Sequence, residues 1–187
     1  MRNVLLVDPL VVGRVIKRHR PVGFQVPHLD AYVLPGKELH QIIDSDEIGQ
    51  EWGDGLVGLV ADHKDPQVLK RRVLHAQLHM AVRARLAACS NDEIHGRIAG
   101  LGDAEFDAVR AVLIEDDQLV PPYTHVSVWE EFVVVFTELR HFEPEAIATY
   151  FPTLGDLPQI DALVRSDIPS ELLEQLDADR DLEHRAT

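Results

Sequence analysis

The hydrophobic rhythm of the chain changes near residue 65. Before that point apolar residues come in short, unbroken runs. NVLLV (3–7) and GLVGLVA (55–61) have the length and β-branched content of strands, and GFQV (23–26) reads as another. PLVVGRVIKRHR (9–20) opens on Pro9, an acceptable first-turn residue, and reads as a helix. HLDAYVLPG reads as a connection, punctuated by Pro35 and Gly36. In GKELHQIIDSDEI, Leu39, Ile42 and Ile43 have helical spacing.

From residue 65 onward the apolar spacing is helical throughout. Asp65 and Pro66 open a helix running to about Ala88. Ser90 with Glu93 forms a capping box for a short helix that Gly100 is expected to stop. Asp103 begins a helix carrying Phe106, Val109, Val112 and Leu113. Pro121-Pro122 breaks the chain, and Thr124 or Ser127 starts VWEEFVVVFTELRHF. That segment is a core helix or an apolar contact helix, with core the better reading. Short helices follow from Glu143, from Asp156 and from Pro169. The tail after Leu176 is polar and is expected to fray.

The fold expected is mainly α (α+β): a helical domain of about six to seven helices with a small β-containing N-terminal portion. Residues 1–64 form that portion. Residues 65–176 form the helical core, in one domain with it, and 177–187 the polar tail.

Composition narrows the class. The 187 residues are 45% hydrophobic, enough for a globular core. No apolar run reaches membrane-spanning length, so no membrane association is expected. Asp8 and Pro9 interrupt the first apolar run and no small-residue cleavage site follows, so no secretory leader is expected. The single cysteine, Cys89, allows no internal disulfide, and a cytoplasmic setting is the expectation. Net charge is −14 but unevenly spread: −3 over residues 1–62, +5 over 63–90 and −16 over 91–187. Such an acidic chain repels nucleic-acid phosphate, and its basic clusters at 14–20 and 70–72 have no interleaved aromatics. The acidic half confers solubility or docks a basic partner.

Chemistry concentrates in VLHAQLHMAVRARL (73–86). His75 and His79 are one helical turn apart, the spacing by which two imidazoles share a metal. Ala76 stands where a zinc protease carries its glutamate, which removes that reading. On a helical wheel, Leu69, Val73, Ala76 and Met80 form one apolar stripe, and Leu74, Leu78 and Val82 a second. Between them lies a strip of Arg72, His75, His79 and Arg83. Its guanidiniums disfavour a divalent cation and suit an anion or an acidic partner. His63, His95, Glu138 and His141 are further candidate donors, and Glu138-x-x-His141 is half of a carboxylate di-iron pattern whose second half is absent. Cys89 reads as buried and inert.

The opening NVLLVDPLVVGRVIKRHRPVGFQV resembles that of a response-regulator receiver domain. GLVGLVADHKDP then resembles the family's third strand, with Asp62 at the phospho-acceptor position and Pro66 four residues on. The resemblance covers about the first 66 residues and implies a phosphorylation-dependent signalling module. The family's acidic pair is reduced here to Asp8, and its later strands with Thr/Ser and Lys find no counterpart.

No complete catalytic constellation is present, so catalytic residues stay unassigned. The expected function is a non-catalytic binding or regulatory protein, or an accessory subunit, acting through protein–protein contacts or as a homo-oligomer. The alternatives are a metal-dependent enzyme using His75 and His79 with a divalent ion, and a degenerate receiver-like module using Asp62.

Overall fold

The computed structural model describes residues 3–19, 30–43, 53–119 and 121–186. The expected strand at 23–26 lies outside them. Among the described residues three strands form one sheet: β1 (Val4–Val7), β2 (Ala31–Pro35) and β3 (Leu56–Ala61), in the order β1-β3-β2. β1 runs parallel to β3, with Val7 opposite Ala61, and β2 runs antiparallel to β3, with Ala31 opposite Val60.

β2 occupies a segment whose Pro35 and Gly36 suggested only a connection. Ala31, Tyr32, Val33 and Leu34 are all buried, so the strand lacks the alternation that marks a half-exposed strand. Pro35 sits at its last position on an edge strand, where no ladder donor is needed. The antiparallel β2 also lies where a receiver sheet, with its 2-1-3-4-5 order, places another parallel strand beside β3. The receiver resemblance therefore stops short of the sheet topology.

The protein divides into two compact units, residues 1–80 and 81–187. The division falls inside the helix Pro66–Leu86. In the first unit, α1 (Pro9–His19) and α2 (Gly36–Ile42) bury Val12, Val15, Ile16 and Leu39 with Tyr32, Leu34, Val57 and Leu59. The opposite face carries Ala31, Val33 and Val60, which pack with Leu69, Val73, Ala76 and Met80. Those last residues belong to α3 (Pro66–Leu86), so its first apolar stripe is the cover for this face. Gly58 makes the approach close: a Cβ there would lie 3.1 Å from the Cβ of Ala76. Asp65 caps α3 by accepting the Gln67 N–H at 2.8 Å.

The second unit is helical. It holds α4 (Asn91–Leu101), α5 (Asp103–Glu115), α6 (His125–Phe142), a 3-10 turn at Pro144–Ala146, α7 (Ile147–Tyr150), α8 (Leu157–Arg165) and α9 (Ser170–Ala186). Seven helices thus follow residue 65 among the described residues, α3 included. The capping box at Ser90 and Glu93 is present in both directions. α4 runs through Gly100 and ends instead at Gly102, whose φ of 107° suits glycine. α9 extends through the polar tail to Ala186. α6 is the core helix: Trp129, Phe132 and Phe136 are at most 1% exposed, and Phe132 meets Phe151 edge to face at 5.5 Å. Its aromatic face lies in the core, while Val126 in its first turn stays 38% exposed.

Candidate functional site

The strip on α3 is the first place to look, because four chemistry-bearing residues share it. Arg72 is committed. Its Nη2 donates to Asp30 at 2.6 Å and its Nη1 to the Ala61 carbonyl at 3.0 Å, tying α3 to the end of β3. Arg83 is committed as well. It donates through Nε and Nη2 to the buried Glu130 of α6, at 3.1 and 2.8 Å. The basic strip is therefore paired with carboxylates at both ends. His75 and His79 are half-buried, and their rings meet at a centroid distance of 4.8 Å and an angle of 66°.

The aspartates expected at the strand ends are both in place and both occupied locally. Asp8 follows β1 and caps α1, accepting the Leu10 N–H at 2.8 Å. Asp62 follows β3 and accepts the His63 N–H at 2.9 Å, while its own N–H donates to the Val7 carbonyl. Asp62 is exposed, and His63 Nδ1 accepts the Asp65 N–H at 3.1 Å.

The remaining histidine candidates have separate surroundings. His95 of α4 meets His125 of α6 at 5.5 Å, both exposed. His141 is buried against Phe142. Glu138 contributes to the field around Tyr150, whose hydroxyl is bonded to Asp116. Burial is the main cause that pushes this phenol above its ordinary pKa, with the Asp116 bond and the charges of Glu131 and Glu138 adding to it.

The strongest polar arrangement of the second unit was not legible in the sequence. Asp167 is fully buried. It receives Arg97 Nε and Nη2 at 2.6 and 2.7 Å and the Trp129 indole N–H at 2.8 Å. Arg97 Nη2 also reaches Cys89 Sγ at 3.5 Å, and the cysteine is half-buried rather than buried. The bond to Asp167 is the main cause that raises the Arg97 pKa, so this guanidinium stays charged. Arg97 and Asp167 are 70 residues apart, and an aspartate just before Ile-Pro-Ser reads as a helix-start residue. No local signal marks the partnership. Chemically it is a three-way tie joining α4, α6 and the turn between α8 and α9.

The second unit also exposes apolar side chains at one corner. The last turn of α5 exposes Ile114, and the start of α6 exposes Tyr123 and Val126, at 36%, 37% and 38%. Pro121 and Pro122 beside them are exposed, as are Glu115, Asp116 and Asp117. This corner is fixed by hydrogen bonds. Arg110 of α5 donates to the Tyr123 carbonyl, Thr124 caps α6 through the Ser127 N–H, and the Ser127 hydroxyl donates to the Pro122 carbonyl. Asp117 turns the chain with a φ of 54°, and the Gln118 N–H reaches back to the Leu113 carbonyl.

No protein-family model, no curated protein and no solved structure matches this chain. The fold itself defines the class: a mainly α protein with a small three-stranded sheet at its N-terminus. Among the described residues no helix is long and apolar enough to cross a membrane.

Proposed function

We propose that this protein is a non-catalytic binding or regulatory module that works through protein–protein contacts, in the cytoplasmic setting its single cysteine suggests. Its docking surface is the corner between α5 and α6. The observation that carries this reading is the exposure of Ile114 at the end of α5 and of Tyr123 and Val126 at the start of α6, with three consecutive carboxylates, Glu115, Asp116 and Asp117, between them in the chain. An apolar patch rimmed by charge is the usual make-up of a protein-binding surface, with the apolar centre supplying affinity and the rim orientation and on-rate. The hydrogen bonds that hold the corner spare a partner the cost of ordering it.

The rim sets the chemistry of the partner. Residues 91–187 carry a net charge of −16, so the complementary ligand is an apolar or aromatic anchor flanked by lysine or arginine. Selection of a random displayed peptide library on the purified protein tests this. Enriched peptides should pair an apolar residue with basic neighbours and should be lost on a Tyr123→Ser, Val126→Ser variant that keeps its helical content. Selection that yields no consensus, or peptides that bind the variant equally well, would remove the reading. Gel filtration with light scattering identifies the case in which a second copy is the partner.

A further inference from the structure

We propose that His75 and His79 form a two-histidine clamp for a divalent first-row transition metal ion. Their position on α3 is the first ground. Residues four apart on a helix face the same way, with side chains that meet one above the other. The second ground is the ring geometry. Zinc sits about 2.0 Å from each imidazole nitrogen in near-tetrahedral arrangement, which places two coordinated rings roughly 5 Å apart, centre to centre. The observed centroid distance of 4.8 Å matches that spacing, with the rings inclined at 66°.

The third ground is electrostatic. Arg72 lies one turn before His75 and Arg83 one turn after His79, and two bare guanidiniums would repel a cation. Neither is bare. Arg72 is held by Asp30 and Arg83 by Glu130, so each positive charge is met by a carboxylate of its own. The same pairing counts against the anion site expected from the sequence, since both guanidiniums already hold carboxylates. Imidazole donors select zinc, cobalt, nickel or copper over magnesium and calcium, which need oxygen ligands. Two protein ligands leave coordination positions for water or for a further carboxylate. The proposal concerns binding; it assigns no reaction to the ion and does not depend on the docking surface.

The test uses the full chain without a histidine tag, titrated with Co²⁺ and with Zn²⁺ alone. Cobalt should bind at one equivalent, with visible absorption bands. His75→Gln, His79→Gln should abolish the bands and weaken binding by at least the roughly tenfold that loss of a mere outer-shell partner costs. The exposed His95 and His125, 5.5 Å apart on two helices, supply the control: His95→Gln, His125→Gln should leave the titration unchanged. Trace Cu²⁺ added to the wild-type protein, read by NMR, does not depend on any variant folding. It should broaden the ring signals of His75 and His79 before those of any other histidine. Absence of binding, a titration that survives loss of His75 and His79, or broadening that begins elsewhere would overturn the proposal.

Discussion

Asp167 shows how much one side chain can decide. A fully buried carboxylate is tolerable only because Arg97 and the Trp129 indole both donate to it. Breaking such a pair from one side leaves an uncompensated charge. Asp167→Ala is expected to cost about 3–5 kcal/mol in urea unfolding, since it strands the Arg97 guanidinium and the Trp129 N–H. A loss below about 1 kcal/mol would mean that water replaces the carboxylate freely. Tyr150 makes a pH-dependent contribution of known sign. Its pKa is raised in the folded state, so folding favours the neutral phenol. That contribution is complete below the unfolded tyrosine value of about 10 and is lost as pH rises beyond it. Tyr150→Phe should therefore flatten the alkaline fall in stability, and tyrosinate absorbance should show one residue that ionises only with unfolding.

At the scale of elements, glycines and caps fix the boundaries. Gly58→Val should push α3 away from the sheet, because even a Cβ at that position lies 3.1 Å from Ala76; a cost of about 1–3 kcal/mol is expected from overpacking. Ser90→Ala should cost about 1 kcal/mol, since the hydroxyl caps α4 and its loss undoes one half of the box. Both effects are read from denaturant midpoints. The same features explain what the sequence could and could not reveal. Capping residues and helical spacing act over three or four residues, so α3, α4, α6 and α8 are visible in the chain. β2 is buried on both faces and so lacks alternation, and its pairing to β3 is a long-range choice. The Gly102 stop depends on a backbone angle, and Gly100, two residues earlier, is an equally plausible stop by composition. At the candidate sites, the four-residue spacing of His75 and His79 was legible, whereas the carboxylates that neutralise Arg72 and Arg83, at Asp30 and Glu130, lie 42 and 47 residues away.

At the scale of the whole molecule, charge is the quantity that matters most. Buried carboxylates are matched by specific guanidiniums, as at Asp167 with Arg97 and Glu130 with Arg83. The remaining acidic excess is a surface property, and surface charge governs association more than fold. A partner drawn by that charge should bind less tightly as salt rises, because the Debye length falls from about 10 Å at 0.1 M to about 3 Å at 1 M. The apolar trio should then account for what survives at high salt. Fluorescence anisotropy of a selected basic–apolar peptide, titrated with wild-type protein and with the Tyr123→Ser, Val126→Ser variant at low and at high salt, separates the two contributions. The expected result is a Kd that rises with salt for the wild type and is weakened roughly tenfold or more by the variant at both salt concentrations. Binding that is indifferent to the variant would contradict a docking surface between α5 and α6.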